Sequence, residues 1–213
     1  MKQSIKLLFI LTLLVLVSPV TSAQKKDYKT ETYYGLNFGV TGSKVNFTPS
    51  VDQNYIQGYN GGLVFRYISA KCLGVQAELN YSQRGWNESN GLFTRRLDYV
   101  ELPFMTHFNF GNKFRFFFNI GPKIGYLISE KTLINLTTSS TETQHITAAD
   151  NAFDYGFCSG LGFLTNIKGQ VFQLEGRANY SMNDVYSNAK SAYFDTSNNM
   201  FASVNFTWLI QKK

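Results

Sequence analysis

From Phe172 to Asn183 the chain alternates without a break. Phe172, Leu174, Gly176, Ala178, Tyr180 and Met182 fall on one side of an extended strand, and Gln173, Glu175, Arg177, Asn179, Ser181 and Asn183 on the other. Two placements satisfy such a strand. In a water-soluble sandwich or a lipocalin-like barrel the apolar side turns in and the charges turn out; in a lipid-embedded barrel the order inverts. Glu175 and Arg177 lie mid-segment, so the choice decides whether these opposite charges meet water or each other.

The pattern recurs along the chain. Leu73, Val75, Ala77, Leu79 and Tyr81 oppose Gly74, Gln76, Glu78, Asn80 and Ser82. Phe114, Phe116, Phe118, Ile120, Ile124, Tyr126 and Ile128 oppose Arg115, Asn119, Gly121, Lys123 and Gly125, and Ala202 to Ile210 alternates likewise. Eight strands are expected, near 33–47, 58–68, 72–86, 95–110, 114–129, 152–167, 170–182 and 200–210. Their connections run long, short, long, short: about 48–57, 87–94, 130–151 and 183–199 against Ser69-Ala70-Lys71, Gly111-Asn112-Lys113 and Lys168-Gly169. The segments are long enough for a tilted membrane crossing, which takes about 9–11 residues, whereas strands of soluble proteins cluster near 5–6.

The start of the chain agrees with export. Lys2 and Lys6 precede the apolar run Leu7–Val17, and Thr21-Ser22-Ala23 supplies a small-residue cleavage site, the form of a secretory signal peptide. Removing Met1–Ala23 leaves 190 of the 213 residues, enough for one domain, and lowers the formal charge from +6 to +4 by the loss of Lys2 and Lys6. An exported chain without a basic stripe or a reading helix is no nucleic-acid binder. Cys72 falls at a turn and Cys158 deep in a strand elsewhere on the sheet, so free thiols are expected. With only His107 and His145 beside them, no metal-ligand spacing emerges, and no cofactor is expected.

Where the charges fall tests the inverted placement. Arg66, Glu78, Glu101, Arg115, Lys123, Asp154, Glu175 and Arg177 all take the inward parity, and a charge facing mid-bilayer lipid would cost roughly 2–4 kcal/mol. Asp98 takes the outward parity, close to the loop end. The inward charges balance, Arg66, Arg115, Lys123 and Arg177 against Glu78, Glu101, Asp154 and Glu175. A hairpin pivoting on Asn112 places Glu101 opposite Lys123, and one pivoting on Lys168-Gly169 places Gly160 and Gly162 opposite Arg177 and Glu175. An interior bounded by about eight strands is just wide enough for side chains to fill, so a plugged, hydrogen-bonded core is expected. Tyr33, Tyr34, Trp86, Tyr99, Tyr126, Tyr155, Tyr180 and Trp208 lie near strand ends, as girdle residues or as ordinary strand aromatics. Pro103 removes a ladder donor and marks either a bulge that aims Glu101 inward or a local irregularity.

The segments YYGLNFGV (33–40), LDYVELPFMTHFNFG (97–111), FNIGPKIGYLIS (118–129), GFCSGLGF (156–163) and QLEGRANYSMNDV (173–185) resemble the PorT-like outer-membrane β-barrel family over most of the mature chain. The Tyr-Val-Glu-Leu-Pro run followed by Asn-Ile-Gly-Pro is the most specific part. The resemblance implies an outer-membrane barrel and, for many members, no assigned activity. The founding member is implicated in a secretion system that exports surface proteins and supports gliding.

The expected fold is therefore all-β: an eight-stranded antiparallel transmembrane outer-membrane β-barrel with short periplasmic turns and long extracellular loops. Its organisation is a cleaved leader (1–23), a short periplasmic segment (24–32), the barrel (33–210) and a tail (211–213). Some small outer-membrane barrels are lipases, acyltransferases or proteases, but no serine here sits in a nucleophile elbow. His107 reads as a satisfied interior histidine, and His145 lies in a loop without a nucleophile motif, so no catalytic residue is assigned. Two roles remain: a structural or surface-interaction barrel whose loops touch lipid, lipopolysaccharide or a partner, and an accessory part of a secretion or surface-assembly machine. Arg84, Arg95, Arg96, Lys131 and Lys190 near the loop rim are either ordinary solvated charges or the groups that meet lipid phosphates.

Overall fold

The computed structural model describes residues 29–136, 142–187 and 193–212. The leader expected over Met1–Ala23 and the rim residue Lys190 lie outside them. Among the described residues nine strands form: β1 (Glu31–Thr48), β2 (Gln53–Asn54), β3 (Ile56–Ala70), β4 (Leu73–Glu88), β5 (Phe93–Gly111), β6 (Phe114–Asn135), β7 (Phe153–Ile167), β8 (Gln170–Asp184) and β9 (Thr196–Gln211). One helical turn, α1 (Thr143–Ile146), lies between β6 and β7. Every pairing is antiparallel. Each long strand pairs with its neighbours along the chain, and β1 pairs with both β3 and β9, so the ladder returns to its start. The two-residue β2 is an addition to the expected set, paired to the end of β4.

The tight connections explain themselves locally. Lys168 at φ 53° and Gly169 at φ 84° place both central residues in the left-handed region, the geometry of a two-residue hairpin that matches strand twist. Gly111 at φ 114° lets β5 continue through position 111, and the pivot of that hairpin falls on Lys113 rather than Asn112. At the other end the strands outlast the expected limits. Asn87 pairs with Thr94, so the connection expected over 87–94 shrinks to the turn 89–92, and β6 runs on to Asn135 beside β5.

The closed sheet is apolar outside and polar inside. Phe38, Leu63, Leu161, Leu174 and Val204 are exposed on its outer face, while Asn37, Gln76, Asn119, Gln173 and Asn205 are buried. Water would penalise that outer surface at about 25 cal/mol per Å², and lipid removes the penalty. A closed ladder also meets the demand of lipid that backbone N–H and C=O groups pair within the protein.

Pro103 does not make a bulge. Pairing with β6 keeps one register from Glu101↔Gly125 through Pro103↔Lys123 to Thr106↔Ile120. The register shifts on this pair lie instead at Thr94/Arg95 and Asp98/Tyr99, where β6 inserts Leu133 and Ile128 as extra residues.

Candidate functional site

Two clusters of charge occupy the interior, one nearer the short turns and one nearer the long connections. In the first, Arg177 of β8 reaches Glu78 of β4: Nη1 and Nη2 donate to Oε2 and Oε1, each at 2.7 Å. Nη2 also donates to Glu175 Oε2 at 2.8 Å. The remaining lone pairs are taken up by amides. Asn37, Asn80 and Gln76 donate to Glu78, and Asn119 and Gln173 donate to Glu175. Arg66 donates to Gln76 and Gln173, so its charge joins through amides rather than by a direct ion pair. Gly160 and Gly162 lie opposite Arg177 and Glu175 on β7, and a Cβ at Gly160 would collide with the Glu175 carboxylate. Burying unpaired charge costs several kcal/mol per ion, and this arrangement avoids it by setting Arg66 and Arg177 against Glu78 and Glu175.

The second cluster joins Arg84 of β4, Glu101 of β5, Lys123 of β6 and Asp154 of β7. Arg84 Nη1 donates to Asp154 Oδ2 at 2.7 Å and its other terminal nitrogen meets Glu101. Lys123 Nζ lies 3.0 Å from Asp154, 3.7 Å from Glu101 and 3.4 Å from Ser181 Oγ. Aromatic faces supply what amides supply in the first cluster. The Arg84 guanidinium sits 4.3 Å from the ring centres of both Tyr99 and Phe201, and Lys123 Nζ lies 4.9 Å from Phe201.

The expected cross-strand pair is corrected here: Glu101 stands opposite Gly125, and Lys123 opposite Pro103. The pivot at Lys113 moves the register by two residues. Parity is kept, so both side chains still point inward and meet diagonally through the shared cluster.

Apolar side chains seal both ends. Toward the short turns, Tyr33, Val64, Ile68, Phe117, Leu164, Val171 and Leu209 pack together. The cavity left beside them, among Tyr33, Arg66, His107, Asn109 and Arg115, holds about 10 Å³, room for no more than one water. Toward the long connections, Val45, Phe47, Trp86, Phe93, Leu97, Tyr99, Val185, Tyr186 and Phe194 form a second buried cluster. The segment from α1 to Ala149 folds over this mouth. Arg95 donates to the carbonyls of His145 and Thr147 and pairs with Glu130 at 2.7 Å. His145 stacks on Phe93 with ring centres 4.0 Å apart and bonds Glu88 at 2.7 Å. Tyr186 OH donates to the Gln144 carbonyl, and burial pushes that phenol well above its usual range, so the proton stays in place.

Of the charges expected inside, Arg66, Glu78, Glu101, Lys123, Asp154, Glu175 and Arg177 are buried in these two clusters. Arg115 is half-buried at the turn end, where Nε donates to the Asn112 carbonyl at 2.9 Å. Arg84 and Arg95, expected at the rim, point inward and are buried. The parity of Gln76, Glu78, Asn80 and Ser82 extends to Arg84, a signal present in the sequence. Tyr33, Trp86 and Tyr99 are buried in the interior instead of the girdle, while Tyr34, Tyr126, Tyr155, Tyr180 and Trp208 face outward. Asp98 keeps its outward parity opposite Gln83, yet it is buried and paired with Arg96 Nε at 3.0 Å. His107 is buried with Nδ1 bonded to Asn119 at 2.7 Å, and Cys72 and Cys158 are free thiols.

Residues 22–187 match the sequence model of the family described as outer membrane protein beta-barrel domain. The chain belongs to that family. It is a bacterial outer-membrane protein, and the closed sheet with its inverted faces is the family's barrel. Solved structures agree on the fold. OprG from Pseudomonas aeruginosa superposes with a TM-score of 0.54 at 10% identity, covering 85% of this chain and 95% of that one. Neisserial surface protein A gives 0.52 at 8% identity, covering 86% and 99%. No curated protein matches the sequence.

Proposed function

We propose that this protein is a non-enzymatic, eight-stranded transmembrane barrel with a filled interior. Its short turns face the periplasm, its long connections face outward, and it works through the surface it presents there. The observation that carries the reading is the stacking along the interior: apolar cluster, charged cluster, charged cluster, apolar cluster, with the α1 segment latched over the mouth. Among the described residues, that stacking leaves no continuous path for a solute along the interior. Of the rim cations among the described residues, Arg84 and Arg95 are spent inside, which leaves Lys131 and the Asp98-paired Arg96 to meet the phosphates of outer-leaflet lipid or lipopolysaccharide.

Planar-bilayer recording tests the filled interior. The refolded protein should show no stepwise conductance; stable ohmic steps would overturn it. Orientation is read separately in a cysteine-free background. Asn90→Cys should react with a membrane-impermeant maleimide on intact cells, and Lys168→Cys should not.

A second reading rests on the PorT-like segments, of which LDYVELPFMTHFNFG and FNIGPKIGYLIS form most of β5 and β6. An accessory role in exporting surface proteins follows from that resemblance. Deleting the gene should then lower surface-protein export, and unchanged export removes this reading.

A further inference from the structure

The lipid-facing wall is not evenly covered. One row across the ladder is small: Gly42 of β1 pairs with Ala202 of β9, Ala202 with Ala178 of β8, and Ala178 with Ser159 of β7. All four have outward parity, and a Cβ at Gly42 would meet open space. The next outward row toward the long connections holds Met200, Tyr180 and Phe157, and the one toward the short turns holds Val40, Val204 and Leu161. Large rows on either side of a small one make a trench across four strands. Two cavities, of about 480 and about 470 Å³, lie along it and share Ala202 and Tyr55, the latter from the link between β2 and β3. The ladder is paired without interruption beneath these residues, so the trench does not breach the wall.

Lys44 stands above the β1 end of the trench. It has the outward parity of Gly42, lies directly opposite Met200, and its Nζ sits 5.4 Å from the Tyr55 ring centre. None of the ion pairs formed among the described residues includes it. At a rise of ~3.3 Å per residue and a tilt of ~40°, Lys44 lies roughly 28 Å along the membrane normal from Tyr33, at the outer edge of an apolar band ~25 Å tall. The cation is therefore level with lipid headgroups, and the trench below it is level with their chains.

We propose that this trench binds one anionic lipid of the outer leaflet, with an acyl chain laid along Gly42, Ala202, Ala178 and Ser159 and the phosphate on Lys44. The choice of leaflet rests on the surface-interaction reading, which turns the long connections outward. Lipid tails are as apolar as the wall, so a bound chain gains by packing, and a trench offers it contacts on three sides where a convex wall offers one. An unpaired cation at phosphate level then prefers an anionic headgroup to a zwitterionic one by about fivefold. A second barrel would present a convex wall, which spans such a trench without filling it.

The test uses the whole barrel refolded in nanodiscs of equimolar phosphatidylglycerol and phosphatidylcholine with matched chains. Lipids that stay bound after detergent extraction are counted by native mass spectrometry, and heat-dependent gel mobility shows that each variant folds. One phosphatidylglycerol should stay on each monomer. Lys44→Gln should lower the preference over phosphatidylcholine by about fivefold, and Lys44→Arg should keep it. Ala178→Leu combined with Ala202→Leu fills the floor and should strip lipid of either headgroup, while Ala77→Leu, on the apolar face of β4, should not. Soluble glycerol phosphate should not compete, because the chain holds the lipid in place. The site is overturned by no bound lipid, by unselective retention, by undiminished retention in the filled variant, by competition from glycerol phosphate, or by a dimer in place of the lipid. Reversed maleimide labelling on cells would break the outward orientation and leave binding in nanodiscs unchanged.

Discussion

The two interior clusters hold equal charge by different means. Around Glu78, Glu175 and Arg177, carboxylate oxygens accept from amides and from a bidentate guanidinium, so each charge is met by directed hydrogen bonds. Around Arg84, Glu101, Lys123 and Asp154, amides are absent from the bonds described and the cations lie against the rings of Tyr99 and Phe201. Directed bonds demand one geometry, while a ring face accepts a cation over a broad area. The first cluster should therefore be the stiffer and the more sensitive to loss of one member.

The comparison can be broken in a graded way, reading stability from urea titrations in lipid vesicles with gel mobility as the probe of folding. Arg177→Met leaves Glu78 and Glu175 with Arg66 alone as counter-charge, reaching them only through the amides of Gln76 and Gln173, and should cost about 3–5 kcal/mol. Lys123→Met leaves Arg84 bridging both carboxylates of its cluster, so about 1.5–3 kcal/mol is expected. A loss as large as that of Arg177→Met would show that the second cluster is no more tolerant than the first. Phe201→Leu removes a ring from both cations while keeping bulk, and about 1 kcal/mol should follow. Arg115→Ala should stay within about 0.5 kcal/mol, because its half-exposed guanidinium bonds a turn carbonyl. A larger change there would join Arg115 to the buried network after all.

How much of this was legible varies with the kind of information a residue carries. Gly160 and Gly162 opposite Arg177 and Glu175 could be read, because Lys168-Gly169 is a two-residue turn with only one sensible pivot. Glu101 opposite Lys123 could not, because the Gly111–Phe114 connection admits more than one pivot and only the formed hairpin selects Lys113. Arg84 was readable by parity, but its place near a strand end made a rim position equally natural. Trp86, Tyr99 and Tyr33 were misplaced for a related reason. Aromatic character marks strand ends without saying whether a ring turns to lipid or caps the interior, and here the interior needed apolar lids.

By itself the sequence determined which face of each strand meets lipid, because the period of two binds every side chain to its neighbours and a misplaced charge is expensive in a bilayer. It did not determine which charges balance inside, because Arg84 rather than Arg115 completes the second cluster. Only the tertiary structure decided who meets whom: Arg177 with Glu78 across the interior, Arg84 with Asp154, α1 over the mouth, β6 reaching past β7. Those contacts join strands far apart in the chain, and their geometry follows from the turn pivots, the bulges and the closure of the ladder together, none of which a local pattern encodes.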